Sequence, residues 1–112
     1  MDVMQVNWND KPWKMVRKGI ERKAFGSDKV TLALHRLHPG HELLPHSHPN
    51  EQVVYILEGS VDFHIGDDTL RIEAGGLAVV PPGVTHYVEV VGNQPAINLD
   101  VFTPARPEYL QD

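Results

Sequence analysis

Turn-forming residues interrupt this chain at short intervals, and what they leave between them is strand-like. Glycine and proline fall at Pro39-Gly40, Gly59, Gly66, Gly75-Gly76, Pro81-Pro82-Gly83 and Gly92, and each marks a turn or loop. The runs between them, residues 30–38, 52–57, 61–65, 69–73, 77–80, 86–91 and 96–102, are rich in β-branched and aromatic residues. No stretch offers a convincing amphipathic helix. Short strands at this spacing predict an all-β sandwich or barrel. Gly66-Asp67-Asp68 predicts a hairpin turn, after which Val61, Phe63 and Ile65 face one way and Asp62 and His64 the other. The segment with Trp8, Pro12 and Trp13 reads as a covering arm or edge strand, and Thr103 to Leu110 as a nonregular tail, because its prolines forbid continued ladder pairing.

At 112 residues the chain is expected to form one domain, with an arm at about 1–28, a barrel at about 29–102 and a tail at about 103–112. A domain of this size buries only about two thirds of its unfolded surface, so pairing with a second copy would help it. The net charge of -5 comes from acids scattered among the bases, which argues against a nucleic-acid partner. Residues 1–16 are polar, with neither the apolar centre of a signal peptide nor a bilayer-spanning run, so no membrane partner and a cytoplasmic location are expected. With no cysteine, any bound metal must be held by nitrogen and oxygen.

Residues able to do so are concentrated in two places. His46, His48 and Gln52 fall within Gly40 to Gly59, and His86 follows Gly75, Pro81 and Gly83. Residues two apart on a strand share a face, so His46 and His48 can both point inward, and Gln52 has their parity on the next strand. Three imidazoles and an amide oxygen suit a divalent transition ion. His35 and His38 are three apart and face opposite sides of one strand, so they cannot share a metal. Together with His41 they read as surface or packing residues, and His64 as exposed.

The order and spacing of these residues resemble the cupin family. Its pattern, G-x5-H-x-H-x3/4-E-x6-G and then G-x5-P-x-G-x2-H-x3-N, is met at Gly40, His46, His48 and Gly59, and at Gly75, Pro81, Gly83 and His86. The resemblance implies a double-stranded β-helix, a jelly-roll barrel with His46, His48, Gln52 and His86 as metal ligands inside it. Gln52 stands where the family usually has glutamate, and Val90 where it often has asparagine. Glu51 is the rival ligand. Gln52 keeps the spacing to both His48 and Gly59, whereas Glu51 has the opposite parity. A neutral amide leaves the ion more positive than a carboxylate would, which favours Lewis-acid over oxygen chemistry. The ion could be nickel, zinc, manganese, iron or cobalt.

The last strand inverts the usual pattern: Asn98 and Asp100 alternate with Ile97, Leu99 and Val101. If Phe102 faces the cavity, so does Asp100, where a carboxylate can serve as general acid or base. Arg106 could grip a substrate carboxylate from the tail, with Glu42 and Arg36 as weaker rim candidates. Asp100, Phe102 and Arg106, with Pro12-Trp13 and Gly19-Ile20-Glu21-Arg22-Lys23, resemble the KdgF group of small cupins of pectin and alginate degradation. That group opens the ring of 4,5-unsaturated uronates. The resemblance implies a metal-dependent lyase or isomerase acting on a small carboxylated sugar, with Asp100, Arg106 and Phe102 as its catalytic residues, in a homodimer. A metal-dependent dioxygenase and a nonenzymatic sugar binder are the alternatives.

Overall fold

A computed structural model describes residues 4–110 of the chain; the outermost residues assigned to the arm and tail lie outside that range. Nine strands follow in order: β1 (Lys14–Arg17), β2 (Ile20–Gly26), β3 (Thr31–Leu37), β4 (Glu51–Glu58), β5 (Ser60–Ile65), β6 (Asp68–Glu73), β7 (Leu77–Val80), β8 (His86–Val90) and β9 (Ala96–Thr103). They form a six-stranded sheet ordered β1-β2-β3-β9-β4-β7 and a three-stranded sheet ordered β6-β5-β8. Every pairing is antiparallel. The expected all-β jelly-roll barrel is present, and each of the seven expected strands is found with its ends moved by a residue at most.

Period-two alternation builds the interior. Val54 and Ile56 of β4, Val61 and Phe63 of β5, Ile72 of β6, Val80 of β7 and Ala96 of β9 are buried together with Ile20 and Leu37 in one cluster between the sheets. Asp62 and His64 lie on the other face of β5. Asp62 accepts from Arg71 Nε at 2.6 Å, and His64, half-buried rather than exposed, lies 3.0 Å from Glu89. At the hairpin, Ile65 pairs with Asp68, so Gly66 and Asp67 form a two-residue turn. Only Gly66 takes a positive φ there, 58°, which is why that position suits glycine.

Two terminal expectations need correction. Residues 14–26, assigned to the arm, carry β1 and β2; β1 is an edge strand, but β2 is an interior strand paired with β3 along its whole length. The alternation in β2 is hidden because charged Arg22 occupies an inward position between Ile20 and Ala24. The tail leaves β9 after Thr103 and then forms a 3-10 turn over Pro107–Leu110. It folds back because Asn50 Nδ2 donates to Pro104 O at 2.6 Å and Arg106 N donates to the buried Thr31 hydroxyl at 2.8 Å.

Candidate metal centre and its cavity

His46 and His48 lie on an irregular segment before β4, not on a strand as their parity argument assumed. Backbone bonds pin them instead. His46 and His86 exchange N–H and C=O at 3.1 and 2.9 Å, and Gly83 N donates to His48 O at 2.9 Å. Gln52 enters from β4 of one sheet and His86 from the first position of β8 of the other, so the group sits between the sheets. One ring nitrogen from each of His46, His48 and His86 falls within 4.8 Å of the other two, a spacing at which they could hold a metal ion.

The hydrogen bonds define which nitrogens those are. His46 Nδ1 lies 2.7 Å from Leu44 O, His48 Nδ1 3.0 Å from Asn50 O, and His86 Nδ1 2.9 Å from Val84 O. A carbonyl only accepts, so each Nδ1 carries a proton and each neutral ring turns the Nε2 lone pair inward. Burial, the largest influence on both, pushes His86 down to about 4 and His46 below the ordinary histidine range, which keeps these two rings neutral near pH 7.

Two further observations fit a cation here. His86 Nε2 is buried without a partner. His48 Nε2 and Gln52 Oε1 stand 3.0 Å apart, and in the neutral ring both present lone pairs, an arrangement that a shared cation relieves. The orientation of the amide is not free, because Gln52 Nε2 donates to Asp100 Oδ1 at 2.9 Å. Glu51, the rival, is exposed on the opposite face of β4.

Behind Gln52 lies a buried polar line. Asp100 also accepts from Asn98 Nδ2 at 2.9 Å, and its Oδ2 lies 2.9 Å from His35 Nδ1. Arg22 Nε donates to His35 Nε2 at 2.9 Å. A guanidinium does not give up its proton, so His35 must accept at Nε2 and donate from Nδ1 to Asp100. Asp100 therefore receives three N–H donors, two on Oδ1 and one on Oδ2. His35 was read as a surface or packing residue; it is buried and belongs to this line. Its position between Ala33 and Leu37, both buried on the inner face of β3, was a signal that could have placed it. His38, as expected, faces away, 2.7 Å from Glu21.

A cavity of about 320 Å³ opens beside these groups, lined among others by His46, Gln52, His86, Asp100, Phe102 and Arg106. Phe102 meets the His48 ring edge-on at 5.5 Å, and the Arg106 guanidinium lies 4.1 Å from the Tyr109 ring. The structure thus brings together all seven expected site residues. Glu42 and Arg36 are not in the cavity wall; Arg36 makes a two-pronged ion pair with Glu21 on the outer face, at 2.8 Å for each prong. Arg17, Arg22, His35, Asn98 and Tyr109 do line it, and none had been named as a site residue from sequence.

Comparison with known proteins agrees with the fold. The family model described as "Cupin domain" matches residues 33–102. An RmlC-like cupin from Shewanella frigidimarina superposes with a TM-score of 0.86 at 23% identity, covering 96% of each chain. KdgF from Halomonas sp. gives 0.83 at 21% identity, over 91% of this chain and 95% of its own. The polyketide cyclase RemF from Streptomyces resistomycificus gives 0.80 at 24% identity, over 95% and 82%.

Proposed function

The chain belongs to the cupin family, and from that premise we propose that it is a metal-dependent enzyme performing non-redox acid/base chemistry on a small carboxylated sugar. The reaction that fits best is ring opening of a 4,5-unsaturated uronate, as in the KdgF group. The observation that carries this reading is the placement of Asp100, hydrogen-bonded to Gln52, in the same cavity wall as His46, His86, Phe102 and Arg106.

His46, His48, His86 and Gln52 would hold the ion, which supplies Lewis acidity to a substrate oxygen when bound. Nickel, zinc, manganese, iron and cobalt all accept such a donor set. Asp100 Oδ2, with one N–H donor, keeps a lone pair to take up and return a proton during ring opening and enol-to-ketone tautomerisation. Arg106 holds the carboxylate, and Phe102 closes the pocket against the His48 ring. The test is turnover of an unsaturated galacturonate by metal-loaded protein, followed by NMR. Asp100→Asn should lower the rate by about 100-fold or more. A rate equal to the spontaneous one, or one unchanged in the variant, refutes the reading.

The likeness to RemF favours a second reading, in which the same polarised-carbonyl chemistry closes a polyketide ring. Three guanidiniums in a cavity of about 320 Å³ suit a small acid better than a long apolar chain. A dioxygenase would lose its rate without oxygen, and a nonenzymatic binder would show affinity without turnover. We also propose a homodimer through the outer face of the large sheet, where Val53, Tyr55, Leu77, Val79, Leu99 and Val101 lie side by side on β4, β7 and β9.

A further inference from the structure

Arg17 reaches the cavity through an irregularity in the edge strand. β1 and β2 pair Lys14 with Arg22 and Met15 with Glu21, and the next regular pair would set Val16 against Ile20. Instead Arg17 stands opposite Ile20, leaving Val16 as the extra residue of a bulge. Ile20 is buried on the inner face, so the bulge turns Arg17 inward; an unbulged ladder would send it out. Bulges recur next to binding sites because they re-aim a side chain in this way.

The turned-in guanidinium has work left to do. Arg17 Nε is buried without a partner, and so is Arg106 Nη1, although Arg106 Nε reaches Glu108 at 3.2 Å. Arg22, the third arginine in the wall, is occupied: its Nε donates to His35 and its guanidinium lies 3.6 Å from the Tyr109 ring centre. Against these three arginines stand Asp100 in the lining and Glu108 paired with Arg106 beside it, an excess of one positive charge before any metal is counted (three minus two). Buried donors without acceptors and uncompensated positive charge call for the same thing, an anion with oxygen acceptors. Arg17 and Arg106 line the same cavity as His46 and His86, so such an anion would lie close to the histidine cluster.

We propose that Arg17 and Arg106 form an anion-binding subsite that takes the carboxylate of the substrate, so that the acid is recognised by guanidiniums independently of the metal position. This rests on the small-acid reading for the nature of the ligand, though not on the ring-opening chemistry. Arg17 fixes where the acid lies, and the rest of the molecule extends toward the histidines.

The experiment measures binding to EDTA-treated protein, by ligand-observed NMR, of D-galacturonate and benzoate, each beside its methyl ester. At least one acid should bind tenfold or more tighter than its ester. Arg17→Met should abolish that preference, Arg17→Lys should retain part of it, and Arg71→Met on the outer face should leave it unchanged. The proposal is overturned if wild-type protein does not prefer either acid to its ester, or if a folded Arg17→Met keeps the preference. An Arg17-dependent preference for benzoate without turnover of unsaturated galacturonate keeps the subsite and rejects the uronate substrate. Turnover by Arg17→Met at the wild-type kcat/KM keeps that substrate and rejects the subsite.

Discussion

The glutamine at position 52 makes physical sense because of what lies behind it. Its amide donates to Asp100 Oδ1 at 2.9 Å in a buried setting. Gln52→Glu replaces that donor with a second carboxylate. Two unit charges about 3 Å apart repel by about 5 kcal/mol at an effective dielectric of 20. The pair can escape by keeping one proton, which at pH 7 costs about 1.4 kcal/mol for each of the roughly 2.7 units separating pH 7 from an ordinary glutamate pKa, or about 4 kcal/mol. The metal-free variant should therefore lose about 3–4 kcal/mol at pH 7. Because the carboxyl pKa is raised in the folded state, the loss is present above the unfolded pKa and fades as pH falls toward about 4.3, where the protonated side chain can donate to Asp100 again. Urea denaturation of both proteins in EDTA, at pH 7 and pH 5, measures this. A stability difference that is absent at pH 7, or equal at the two values, would refute the account of Gln52 as the donor Asp100 requires.

Other consequences follow from the same geometry. A divalent ion at 100 times its dissociation constant should stabilise the protein by about 2.7 kcal/mol, raising its thermal midpoint, and His86→Ala should remove most of that gain. In metal-free protein, burial holds His86 down at about 4 whereas the unfolded chain protonates near the ordinary histidine value of 6.5, so stability is fullest above 6.5 and declines toward pH 4. His86→Ala should flatten that decline in urea titrations. His35→Phe removes a donor from Asp100 and the acceptor for Arg22, and should cost about 2–4 kcal/mol by denaturant unfolding while the folded spectrum is retained. Val79 is 51% exposed on the outer face of edge strand β7. Val79→Asp should convert a dimer to a monomer in light scattering without lowering metal affinity; a wild-type mass that is already monomeric would end the dimer proposal.

What could be read from the sequence divides along a physical line. Alternation is local: Val61-Asp62-Phe63-His64-Ile65 shows which side chains share a face before any partner strand is known, and the shared parity of Asp100 and Phe102 put Asp100 in the cavity if Phe102 faces it. Register is not local. Arg22, His35 and Asn98 stand abreast on β2, β3 and β9, yet His35 and Asn98 are 63 positions apart (98 minus 35), so nothing near either residue announces their adjacency. Once paired, they supply the donors that hold Asp100, which in turn orients Gln52. The chemistry of the candidate centre thus depends on a ladder that only the folded sheets specify.

Arg17 marks the further limit, because there even local alternation misleads. Val16 carries no glycine or proline to announce a bulge, and regular pairing would place Arg17 on the outer face as an ordinary edge-strand charge of the kind that blocks sheet-to-sheet association. The bulge exchanges that protective role for a guanidinium inside the barrel. Burying the guanidinium Nε without an acceptor is costly, whereas an apolar side chain opposite Ile20 would have extended the core. A stabilising Arg17→Leu variant, higher in thermal midpoint than wild type and with no preference for acids, is the outcome expected if the position serves binding at the expense of stability. A lower midpoint in that variant would mean that the guanidinium is held by the fold for structural reasons.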